Sequence, residues 1–146
     1  MEIKLKRVHT AMDLCISSAV ILAGIGLFFL HKGLGVTVII GGILMLFIYK
    51  AAFVRTGEEK TLLTKKAFDL SKSCRQSVFD YLSGKDVTPK IVSPNGGGIV
   101  RLEVYFNKKE EVVYAQLFDF TDYTYSEATG LVELRSPASG KLLSQI

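Results

Sequence analysis

Asp119 and Asp122 flank the dipeptide Phe120-Thr121, and two carboxylates at that separation can hold a cation or divide acid and base roles between them. No third ligand residue accompanies them locally, so they read as a solvated strand end. Asn95-Gly96-Gly97-Gly98 is the one glycine cluster with the composition of a phosphate loop. A phosphate cradle needs a following Lys-Ser/Thr and a helix whose amides point at the ligand, whereas this run leads into the strand pattern of Ile99-Val100-Arg101. It is expected to be a strand connection.

His9 and His31 bracket a long apolar run and are expected at opposite membrane faces, so they cannot share a metal or a dyad. Cys15 lies inside that run and Cys74 on a later amphipathic stretch. Both read as reduced, buried small residues, and Cys74 has no histidine beside it to act as a base. The sequence therefore assigns no catalytic, cofactor-binding or metal-ligating residue and no cofactor.

The elements that would have to position any chemistry are dominated by apolar length. The 146 residues are 49% hydrophobic and 22% charged, with a mean hydropathy of +0.31. That balance is too apolar for an ordinary soluble domain and implies a membrane protein or a secreted precursor. Residues 14–30 carry no charge and span roughly 25 Å as a helix, enough to cross a bilayer. Lys4, Lys6 and Arg7 before this run resemble a signal-peptide leader. However, the run exceeds a usual signal core and its exit, Phe28-Phe29-Leu30-His31-Lys32, offers no small-x-small cleavage site.

A second uncharged run, 33–49, meets Lys50 and continues through Val54; Lys50 can snorkel to the headgroups. The expected fold is a membrane α-helical hairpin of two transmembrane helices over 14–54, with its turn near 31–35. A basic N-terminal tail (1–13) precedes it and an α+β domain (55–146) follows. Three cations precede the first span, Lys32 alone sits in the turn, and Lys50, Arg55, Lys60, Lys65 and Lys66 follow the second. The positive-inside rule places both termini in the cytoplasm, most simply at a bacterial inner membrane.

Cys15, Ala19, Ala23 and Gly26 form a stripe of small residues on one helical face, answered by Gly41 and Gly42 on the second helix. Such a stripe permits close helix packing in lipid, either within the hairpin, which the short turn favours, or in an oligomer.

In the C-terminal part, Thr56-Gly57-Glu58-Glu59 matches a capping box, and Leu63, Ala67, Leu70, Cys74, Val78 and Tyr81 recur at helical spacing. One long helix ending at Gly84 is expected. An antiparallel meander of three or four strands should follow. Val100, Leu102, Val104 and Phe106 share a core face, Asn107-Lys108-Lys109-Glu110 turns into a strand over 111–120, and shorter strands lie near 123–127 and 131–135; Ile91-Val92 is a further short strand. Alternation puts Tyr114, Phe118 and Phe120 on the face opposite Val113, Ala115 and Leu117. That face is either covered by the long helix as core or free for a partner.

Residues 55–146 hold thirteen basic against twelve acidic side chains, and the doublets Lys65-Lys66 and Lys108-Lys109 do not make a phosphate-tracking stripe, so no nucleic-acid partner is expected. The expected function is a non-enzymatic interaction or assembly subunit. Its partners would be the lipid bilayer and a second copy or another protein of a membrane complex. A holin-like, pore-forming oligomer of the hairpin and a membrane-bound enzyme are the alternatives.

Overall fold

The structure is a computed structural model that describes residues 3–107, 109 and 112–146. Among the described residues it contains four helices and an antiparallel sheet of seven strands, and it divides into two compact units: Lys6–Val54, and Arg55–Ile146 together with the start of the chain.

The smaller unit is built on helices α1 (Ala11–Leu30) and α2 (Lys32–Ile48). Thr10 caps α1: its hydroxyl accepts from the Asp13 N–H at 3.1 Å, while the Asp13 carboxylate accepts from the Thr10 N–H at 2.9 Å. Only His31 separates the two helices, a tighter turn than the expected 31–35. The chain can reverse so sharply because glycines let the backbones touch. A Cβ on Gly24 would lie 2.8 Å from Ile39 Cγ1, one on Gly42 2.7 Å from Ile21 Cγ1, and one on Gly35 would collide with the Phe28 backbone. Ile21, Gly24 and Phe28 thus meet Gly42, Ile39 and Gly35 in reverse order, so the helices run antiparallel.

Two expectations at the base of this unit need correction. Residues 1–13 are not simply a tail, because Leu5–Val8 forms strand β1, and α2 stops at Ile48, giving way to strand β2 (Ala52–Arg55) beside β1. Arg7 stacks its guanidinium 5.3 Å above the Phe53 ring, joining the two strands through side chains.

The larger unit departs from the expected single long helix. Thr56 and Gly57, the latter at φ +95°, form a two-residue reversal, and Glu58–Ser71 continues as the 14-residue strand β3. Helix begins only at Lys72, with one 3-10 turn (Lys72–Cys74) and then α3 (Arg75–Leu82). The misleading periodicity has a physical source. Leu63 is buried on one face of β3 while Phe68 and Leu70 point to the other, so apolar residues on both faces imitate a helical stripe. Gly84, at φ +86°, ends α3 as expected.

Strands β4 (Ile99–Phe106), β5 (Val113–Thr121), β6 (Thr124–Glu127) and β7 (Val132–Leu134) form the meander. β4 lies between β3 and β5, and both β6 and β7 pair with β5. Ile91-Val92 is not a strand, although the Val92 carbonyl accepts from the Ser71 N–H at 2.8 Å. The expected turn at 107–110 and strand start at 111 include Lys108, Glu110 and Glu111, which lie outside the described residues. The sequence pattern did not anticipate α4 (Ala138–Leu143).

The core sits between one sheet face and α3. Val100, Leu102, Val104, Val113, Ala115 and Leu117 pack against Cys74, Val78, Tyr81 and Leu82, with Leu142 of α4 closing one side. Each fully buried Leu or Val contributes roughly 1.5–3 kcal/mol relative to exposure. The Tyr81 hydroxyl donates to the Ala138 carbonyl, tying α3 to α4.

Candidate functional site

The sheet face turned away from α3 carries the surface with the most recognition chemistry. Register sets its rows: Asp69, Arg101, Phe118 and Glu127 lie across β3, β4, β5 and β6, and Lys65, Tyr105, Tyr114 and Glu133 across β3, β4, β5 and β7. In the first row Arg101 engages Asp69 through two nitrogens, Nε to Oδ1 at 2.8 Å and Nη2 to Oδ2 at 3.3 Å, and its guanidinium lies 4.0 Å above the Tyr125 ring. The Arg101 hydrogen bonds hold the Asp69 carboxyl below the usual aspartate range, and Asp69 raises the Arg101 guanidinium in return. Arg101 and Asp69 neutralise each other here, so the aromatic rings are the larger feature of this end of the face.

Phe120 packs against Tyr125 with ring centroids 4.8 Å apart and planes tilted by 44°, and meets Tyr123 edge-on at 6.5 Å. Tyr123 is 96% exposed and, with Asp122, sits at positive φ (60° and 52°) in the two-residue turn between β5 and β6. A type I′ turn requires positive φ at both positions, where glycine or asparagine is favoured and a bulky aromatic is uncommon. The hairpin thus presents a tyrosine at its tip where its backbone would prefer glycine.

The three aromatics singled out from the sequence share this face but not one environment. Tyr114 is 2% exposed, and its hydroxyl lies 3.4 Å from Arg55 Nη1, which also pairs with Glu133 at 3.1 Å. Phe118 and Phe120 are half-buried. The expected cover by the long helix is corrected: α3 packs on the opposite face, leaving the Phe118, Phe120, Tyr125 end without it. Tyr123 and Tyr125 complete this surface, and their signal was the aromatic density around the Asp122-Tyr123 turn.

Two clefts flank the sheet. One, about 170 Å³, is lined by Lys72, Arg75, Asp119 and Phe120. Arg75 grips Asp119 there with two bonds of 2.6 and 2.7 Å, lowering the Asp119 carboxyl below the ordinary range. Asp119 is thereby committed to Arg75 while Asp122 serves the turn, so they do not combine as an acid–base pair. The other cleft, about 310 Å³, runs between α3, α4 and β7 over Leu82, Val87, Leu134 and Ala138, with a Lys141–Asp86 ion pair of 3.2 Å at its edge. Among the described residues no group of three His, Cys, Asp or Glu could hold a metal.

In the smaller unit, of the small residues singled out from the sequence only Gly42 lies at the close helix contact. Cys15, Ala19, Ala23 and Gly26 are exposed, and a Cβ on Gly26 or Gly41 would meet nothing within 4 Å. The packing face runs instead through Asp13, Ser17 and Gly24 against Gly35 and Gly42. α1 is long and apolar enough to cross a membrane, with a mean hydropathy of 2.1 in its most apolar window; α2 is a shorter apolar helix of 17 residues. Comparison with family models, curated proteins and solved structures yields no match for this chain.

Proposed function

We propose that the chain is a two-span membrane protein with both termini cytoplasmic, most simply at a bacterial inner membrane. Its α+β domain works there as a non-enzymatic interaction or assembly subunit, engaging a second copy or another protein of a membrane complex. The two-span reading is supported by the outward side chains of both helices. Phe29 is 82% and Phe47 74% exposed, a surface suited to lipid rather than water. With one residue between antiparallel helices, α2 must follow α1 wherever α1 lies. Its 17 residues reach the lower limit of a bilayer span. Cleavage after α1 would strip Gly35 and Gly42 of the surface they fit.

The single observation that carries the interaction reading is the Phe118, Phe120, Tyr125 cluster topped by Tyr123. Aromatic side chains offer large contact area at small conformational cost and dominate protein interfaces. A photo-crosslinking residue placed at 118, 120 or 123 of the full chain in its membrane should yield a discrete protein adduct. The same residue at Lys85, on α3's side of the domain, should not. No adduct from the aromatic positions, or equal adducts from Lys85, would remove the reading.

A further inference from the structure

Among the described residues up to Val54, the exposed charges at the base of the helix pair have one sign. Lys6 and Arg7 on β1 and Lys50 just beyond α2 are exposed, whereas Asp13, the sole carboxylate among the described residues up to Val54, is 4% exposed and accepts from the Thr10 and Ala51 N–H groups. Because α1 and α2 are antiparallel, these three cations lie at the same end of the pair; the other end carries His31 and Lys32. Tyr49, half-exposed at the end of α2, and Phe53 lie among them. Arg7, stacked 5.3 Å over Phe53, is held as a fixed cation with a guanidinium fork whose geometry suits a phosphate.

We infer that the ribbon of Lys6, Arg7 and Lys50, with Tyr49 and Phe53, is a binding surface for anionic phospholipid headgroups. The inference rests on the two-span reading, which sets these residues at headgroup depth. Tyrosine at a helix end is an interfacial anchor, and cations beside it attract an anionic leaflet by roughly fivefold in affinity each. The absence of an exposed carboxylate among these described residues leaves nothing on the ribbon to repel a phosphate.

The test uses the full chain reconstituted in phosphatidylcholine bilayers containing trace spin-labelled phosphatidylglycerol or spin-labelled phosphatidylcholine. The motionally restricted fraction should favour phosphatidylglycerol several-fold at about 0.1 M salt and lose that preference toward about 1 M, where screening acts within roughly 3 Å. The combined Lys6→Gln, Arg7→Gln, Lys50→Gln variant should lose it at low salt with an unchanged circular dichroism spectrum. Equal restricted fractions for the two lipids, or a preference indifferent to salt, would overturn the headgroup site while leaving the two spans intact. No restricted fraction with either lipid would overturn both.

Discussion

The Asp13 carboxylate accepts a hydrogen bond from the Ala51 N–H at 3.2 Å, across 38 residues of chain. The same oxygen accepts from the Thr10 N–H, so one side chain completes the capping box of α1 and fastens the segment that leaves α2. Asp13→Ala leaves the Thr10 hydroxyl in place as cap but removes the reciprocal half of the capping box and orphans the Thr10 and Ala51 N–H donors, a loss of about 1–3 kcal/mol. Thermal unfolding in detergent should show it, and Asp13→Asn, whose amide oxygen can still accept from Thr10 and Ala51, should lose less. Equal melting of the alanine variant and the parent would contradict this role.

The helix contact predicts a sharp asymmetry among glycines. Gly35→Ala must displace the Phe28 backbone and Gly24→Ala must push Ile39 aside, whereas Gly26→Ala and Gly41→Ala enter open space. The first pair should cost about 1–3 kcal/mol by overpacking. The second should be neutral or slightly stabilising, since alanine favours helix. Unfolding of the four variants in the same detergent measures the split.

Asp69 and Asp119 both titrate below the ordinary aspartate value of 3.8, through Arg101 and Arg75 respectively. As pH falls below about 4, the unfolded chain takes up protons that the folded chain refuses, so stability declines from there down through the lower folded values. Above about pH 5 these two groups leave stability flat. Asp119→Asn should weaken the fold at pH 7 by about 1 kcal/mol, the scale of a well-aligned, partly exposed ion pair, and flatten its share of the acid decline. Denaturant midpoints between pH 3 and 7 provide the check.

At the β5–β6 tip the backbone and the side chain of Tyr123 pull in opposite directions. Tyr123→Gly relieves a left-handed tyrosine and should raise stability by about 1 kcal/mol, the usual cost of that conformation for a non-glycine residue. The same change should weaken partner crosslinking from position 120. A glycine variant both less stable and equally crosslinked would refute the assignment of Tyr123 to recognition.

The apolar runs gave away the helix pair because two uncharged stretches of helical length are interrupted only by His31 and Lys32, and the alternation of Val100, Leu102 and Val104 marked the core face of β4 directly. The residues from Thr56 to Leu70 were illegible for a local reason. Thr56-Gly57-Glu58-Glu59 satisfies both a capping box and a two-residue hairpin, and the hairpin wins when the chain after it pairs with β4, a long-range term. Of the small-residue stripe, Cys15, Ala19 and Ala23 are as small as the helix contact requires but lie outside it, and Ser17 and Gly24 are buried there instead, a choice of face that residue size alone does not encode. The aromatic face of Tyr114, Phe118 and Phe120 followed from alternation, while its freedom from α3 depended on where that helix starts.

Topology tests the central claim most directly. A green fluorescent protein and an alkaline phosphatase fused in turn before Met1 and after Ile146 of the full chain, expressed in a bacterial inner membrane, should give fluorescence without phosphatase activity at both ends. Phosphatase activity at either end, or a mature protein beginning after Lys32, would contradict the two-span hairpin.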